Sequence, residues 1–105
     1  MNGRMSAVIS VKSLEDYQVF DVTGNPLGRV DDVLLDERLG HARYFVLSFG
    51  AGLGMRKDRY VVPADAVRLD TENEALVVDV APERFDDALP FDEANGADEG
   101  AVYRL

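Results

Sequence analysis

Gly28-Arg-Val-Asp-Asp-Val-Leu-Leu-Asp36 and Ala42-Arg-Tyr-Phe-Val-Leu-Ser-Phe-Gly50 decide the fold. Successive side chains of a strand point to opposite sides, so the second run places Phe45, Leu47 and Phe49 on one face and Tyr44 and Val46 on the other. A strand that is apolar on both faces needs cover on both. The first run carries Val30, Val33 and Leu35 out of strict alternation. The slip falls at Asp31-Asp32, where a β-bulge would re-aim the strand. Helical spacing also fits residues 30, 33 and 34. Gly28 and Gly40 bound a segment too short for a capped helix and favour the strand.

Working outward, Tyr17-Gln-Val-Phe-Asp-Val22 alternates loosely and runs into Thr23-Gly-Asn-Pro-Leu-Gly28, whose Gly, Asn and Pro supply the chemistry of a hairpin turn. Arg59 to Pro63 resumes the sheet after a glycine loop, and Pro63 ends it. Ala66 to Leu69 and Ala75 to Val80 flank the polar turn Asp70-Thr-Glu-Asn-Glu74, with Val67, Leu69, Leu76, Val78 and Val80 expected in one core. Pro82 opens a short helix that stops at Pro90, with Phe85 and Leu89 on one face. The predicted fold class is mainly β, a small, strongly bent antiparallel barrel with a short C-terminal helix. Three parts are expected: an arm over residues 1–13, a barrel over 14–92 and an acidic tail over 93–105. Ala7 to Val11 could form a short strand within the arm. Beyond Pro90 the segment has Phe91, Val102 and Tyr103 as its few apolar anchors; most of it is expected to be extended or disordered, and folding is expected to survive truncation after Phe91.

A chain of 105 residues with 47% apolar and 30% charged residues suffices for one domain with its own core. It contains no cysteine, which excludes disulfides, thiolate metal sites and cysteine nucleophiles. No signal-like leader and no apolar run approaching about 18 residues occurs, so the expected location is the cytoplasm, without a membrane span. The net charge of −9 is uneven. Residues 1–68 hold nine Lys and Arg and nine Asp and Glu, whereas residues 69–105 hold two and eleven. Phosphate backbones attract clustered cations, so this distribution disfavours nucleic acid as the main ligand.

Read in order, Gly28–Asp36, Ala42–Gly50, Tyr60-Val-Val-Pro63 and Asp70-Thr-Glu-Asn73 resemble the PRC-barrel domain, the fold named for the photosynthetic reaction centre H subunit and shared with the ribosome maturation factor. The free-standing bacterial branch is closest. Its Val-Pro-Trp box here reads Val62-Pro63-Ala64, and its helix is followed here by Leu89-Pro90-Phe91-Asp92. The resemblance implies a non-enzymatic adaptor in protein or ribonucleoprotein assemblies, often described as stress-related, with no catalytic residues or cofactors to carry over. It also implies backbone roles for Gly28 and Gly50 and core roles for Val33, Leu35, Phe45, Leu47, Val62 and Val78.

Two functions are open. In the first, the chain self-associates, as a homodimer or another homo-oligomer, and binds another protein through Tyr44, Val46, Leu53, Met55, Arg56 and Lys57, since contiguous exposed apolar surface marks such sites. In the second it binds a ligand, a cation or RNA. Asp31, Asp32, Asp36 and Glu37, or Asp70, Glu72, Asn73 and Glu74, would then supply oxygen ligands, or Arg56, Lys57 and Arg59 a basic patch. Strand alternation points Asp31 and Asp32 apart, and the second cluster lacks the mid-loop glycine and closing glutamate of a calcium loop. Gly50, Gly52 and Gly54 do not make a dinucleotide fingerprint. His41 has no second histidine beside it, and Ser6, Ser10, Ser13 and Ser48 lack the setting of a nucleophile.

Overall fold

The computed structural model describes residues 8–50, 58–92 and 101–105. A 3₁₀ helix at Val11–Asp16 leads into β1 (Gln18–Asp21), β2 (Pro26–Leu35), β3 (Ala42–Phe49) and β4 (Asp58–Pro63). A 3₁₀ turn at Ala64–Ala66 precedes β5 (Val67–Asp70) and β6 (Ala75–Val78), and α1 (Pro82–Asp86), β7 (Leu89–Pro90) and β8 (Tyr103–Arg104) follow. All eight strands lie in one sheet of order β5-β6-β1-β2-β3-β4-β8-β7, so the fold is mainly β, as expected. Among the described residues its ends do not join, and β5 and β7 are edges. Neighbours are antiparallel except β1 with β6 and β7 with β8, which run parallel.

The bulge lies where the Asp31-Asp32 slip anticipates it. The β2–β3 register shifts between Val30 and Asp32, and the skipped Asp31 turns to Arg59, 2.6 Å away. A second shift follows between Leu34 and Leu35. It turns Leu35 out of the core, where the resemblance had placed it, and leaves it 57% exposed. At Gly28 the backbones of β2 and β3 approach so closely that a Cβ would overlap the carbonyl oxygen of Ser48. Gly50 ends β3 with φ of 70°, a conformation natural to glycine.

Two cores flank the sheet. Leu14, Tyr17, Val19, Phe45, Leu47, Val62, Leu76 and Val78 fill the first, with Val33, Val67, Leu69, Val80 and Phe85 packed against it. Phe85 of α1 stands edge-on to Phe49 and Tyr60, with centroids 5.1 and 5.0 Å away. Tyr44, Val46, Val61 and Tyr103 form the second core, with Leu34, Phe91 and Ala101. The two faces of β3 are therefore divided as its alternation predicts.

Four expectations need correction. Val8 is 99% exposed and Val11 opens a helical turn, so no strand forms there, and the same region sends Leu14 into the core. The helix stops at Asp86, because the chain must turn to join the sheet at Leu89, which is 65% exposed and not on a helix face with Phe85. The chain end is not loose: Tyr103–Arg104 pairs with β4, while Val102 and Tyr103 enter opposite cores by strand alternation. Finally, Tyr44 and Val46 are 6% and 1% exposed, so they are not the open apolar surface expected of them. Among the described residues, no helix is long and apolar enough to cross a membrane.

Candidate interaction surface

Tyr44 and Val46 are covered from within the chain. Phe91 meets the Tyr44 ring edge-on at 5.5 Å and the Tyr103 ring at 5.6 Å, and these aromatics supply the cover for which the C-terminal helix, a loop or another subunit were the candidates. Of the other residues expected at the interface, Leu53, Met55, Arg56 and Lys57 lie outside the described residues.

The cover is incomplete. Beside Phe91, at the turn end of the β2–β3 hairpin, lies an open groove of about 460 Å³. Leu34, Tyr44 and Phe91 line it together with Leu35, while Asp36, Glu37, Arg38 and Arg43 form its charged margin. Arg43 lies 5.6 Å from the Tyr44 ring centroid and 3.7 Å from the Asp36 carboxylate. In the turn beyond, Leu39 is 70% exposed. Leu35 and Leu39 flank Asp36 in the chain, and the Asp36 carboxylate closes the turn. Its Oδ1 accepts the N–H groups of Arg38 and Leu39 at 2.9 and 3.0 Å. These bonds, together with the nearby Arg43 and Arg38 charges, hold the carboxyl below the usual carboxylate range.

A family model for the PRC-barrel domain matches residues 7–85. The chain belongs to the PRC-barrel family. No curated protein matches it. The groove of this PRC-barrel domain is built partly from Phe91, beyond the matched stretch, so the segment after the family's own residues helps to shape it.

Three aspartates of this PRC-barrel domain, Asp21, Asp36 and Asp70, serve its turns. Asp21 Oδ1 accepts from the Thr23 hydroxyl at 2.7 Å and from the N–H groups of Thr23 and Asn25 at 2.9 and 3.0 Å, which lowers its pKa. Asp70 is lowered by the Asn73 side chain, whose Nδ2 donates to Oδ2 at 2.8 Å. Of the first carboxylate cluster, Asp31 pairs with Arg59, Asp32 accepts the Val33 N–H at 2.7 Å and Asp36 closes its own turn. Among the described residues, no three His, Cys, Asp or Glu side chains are grouped to hold a metal ion. His41 acts through its backbone, accepting the Asp36 N–H at 2.8 Å. Ser13 donates its hydroxyl to the Ser10 carbonyl at 2.6 Å, and Ser48 is buried against the sheet. Burial, then the charges of Asp58 and Asp86, pushes the Tyr60 phenol up.

The groove was out of reach of sequence reading. Leu34 and Tyr44 are read easily as strand residues, but Phe91 joins them only through the β4–β8–β7 pairing, for which a two-residue strand gives no periodic signal.

Proposed function

We infer that this PRC-barrel domain is a non-enzymatic interaction module that binds another protein at the groove and also associates with copies of itself. The groove carries the reading: an aromatic and aliphatic floor, the exposed Leu35 in its lining, Leu39 exposed in the adjoining turn and a margin with both signs of charge suit a bulky apolar side chain presented by a polypeptide. Asp21, Asp31, Asp36 and Asp70 are engaged in turns or an ion pair, which supports the non-enzymatic part.

The test is affinity purification of the tagged protein from its own cells, in parallel with the double variant Leu35→Asp/Leu39→Asp. Both leucines are exposed, so the variant should melt like the parent. Defined polypeptides retained by the parent and lost from the variant are expected. An identical set from both would remove the groove from consideration. Thermal-shift titration with calcium, nucleotides and RNA addresses ligand binding, because a ligand at 100 times its Kd stabilises by about 2.7 kcal/mol. A shift of that size would replace this reading.

A further inference from the structure

The two edges of the sheet differ. At one end, β7 has only Leu89 and Pro90, and proline has no N–H to offer a further strand. At the other end, the four-residue β5 runs through Val67-Arg-Leu-Asp70 with no proline or bulge, and the two charges on it, Arg68 and Asp70, are of opposite sign. Its direction of bonding follows from the antiparallel ladder. The Asp79 N–H donates to the Ala66 carbonyl at 2.8 Å, and the register Val67↔Val78, Arg68↔Val77, Leu69↔Leu76, Asp70↔Ala75 continues that pair. Backbone bonds alternate in such a ladder, so Arg68 and Asp70 bond toward β6 and Val67 and Leu69 face the free edge. The Val67 N–H is already satisfied by the Ala64 carbonyl. Leu69 is left presenting both an N–H and a C=O outward.

We propose that two copies of this chain pair antiparallel through β5, about a two-fold axis at Leu69. This rests on the reading of the domain as a self-associating module and names the surface it uses. A two-fold axis normal to the sheet keeps the faces of both copies aligned, so only registers centred on a residue are allowed. Centring on Arg68 would set two guanidinium groups against each other. Centring on Leu69 sets Leu69 against its own copy, exchanging the two free backbone bonds, and places each Arg68 opposite the Asp70 of the other copy. Those charges then occupy the non-hydrogen-bonded positions, where side chains stand closest. Arg68 is exposed and Asp70 half-buried, both on the face away from the first core that Val67 and Leu69 pack against. Arg68 makes no salt bridge among the described residues. The edge is thus complementary in charge to itself.

Sedimentation equilibrium over a range of concentrations tests this. The parent should reach twice the 11.6 kDa chain mass. Arg68→Glu places glutamate opposite Asp70 at both ends of the seam and should weaken association at least about tenfold. Asp70→Lys should do the same with positive charge. An equimolar mixture of the two variants restores opposite charges at both ends and should recover the dimer. Asp70 also closes the turn with Asn73, so each variant is first checked for a cooperative melt. In the parent, exchange of the Leu69 amide should slow as concentration rises, a readout that needs no variant. A parent that stays at single-chain mass, association indifferent to both charge changes, or Leu69 exchange independent of concentration would overturn the proposal. Dissociation by Leu35→Asp/Leu39→Asp with none by Arg68→Glu would also overturn it and leave the interaction reading standing. Loss of the captured polypeptides from the groove variant bears on that reading alone.

Discussion

Gly28 leaves no space for a methyl group against the Ser48 carbonyl, so a single carbon added there forces the longest ladder of the sheet apart. Gly28→Ala should cost about 1–3 kcal/mol, the range for overpacking a tight site, and lower the thermal midpoint accordingly. The acidic turn residues act through charge. Asp21, Asp36 and Asp70 all have folded pKa values below the ordinary 3.8, so each contributes stability above that pH and loses it as pH falls through its lower folded value. The melting temperature should therefore hold from neutral pH down to about 5 and fall below about 4. Asp21→Asn should flatten that fall. At this scale, legibility followed chemistry. Asp70-Thr-Glu-Asn73 and the stretch Asp21 to Pro26 announce turns because the Asp70 carboxylate accepts the Asn73 N–H and the Asp21 carboxylate those of Thr23 and Asn25, whereas the outward turn of Leu35 depends on a register shift set by the partner strand.

Among the elements, β3 was legible on both faces because its alternation runs unbroken from Tyr44 to Phe49, and the Asp31-Asp32 bulge was legible because the alternation fails there. The cover of its outer face was not. Phe91, Val102 and Tyr103 are isolated apolar residues around an acidic stretch, with no period to reveal that they return to the sheet. Their packing reverses the expectation that everything past Phe91 can be removed. Tyr103 is buried against Tyr44, Val46 and Val61, and Tyr103→Ala should cost about 3 kcal/mol in a denaturant melt, as for other large aromatic truncations. Deleting residues 101–105 should cost more, since Val102 leaves the first core at the same time. A deletion that melts like the parent would show that β8 adds nothing to stability. Tyr44 and Val46 are buried where open surface was expected. Tyr44 does border the groove, but as its floor, and the open leucines are Leu35 and Leu39.

For the whole molecule, the parallel seam between β1 and β6 dictates an order of assembly. β2, β3 and β4 pair with their chain neighbours, whereas Gln18–Asp21 must meet Ala75–Val78 across most of the matched length of the chain. Joining such distant segments carries the largest loop-closure entropy in the sheet, so the hairpins should zip early and the seam should seal late. Val19, fully buried in that seam, then separates two kinetic limbs. Val19→Ala should quicken unfolding in stopped-flow measurements and scarcely slow refolding, while Phe45→Leu in the central hairpin slows refolding. A seam that closes last is also the first that thermal agitation can release, and amide exchange at Gln18, whose N–H crosses it to the Glu74 carbonyl at 3.1 Å, would record how often this domain briefly comes unlatched.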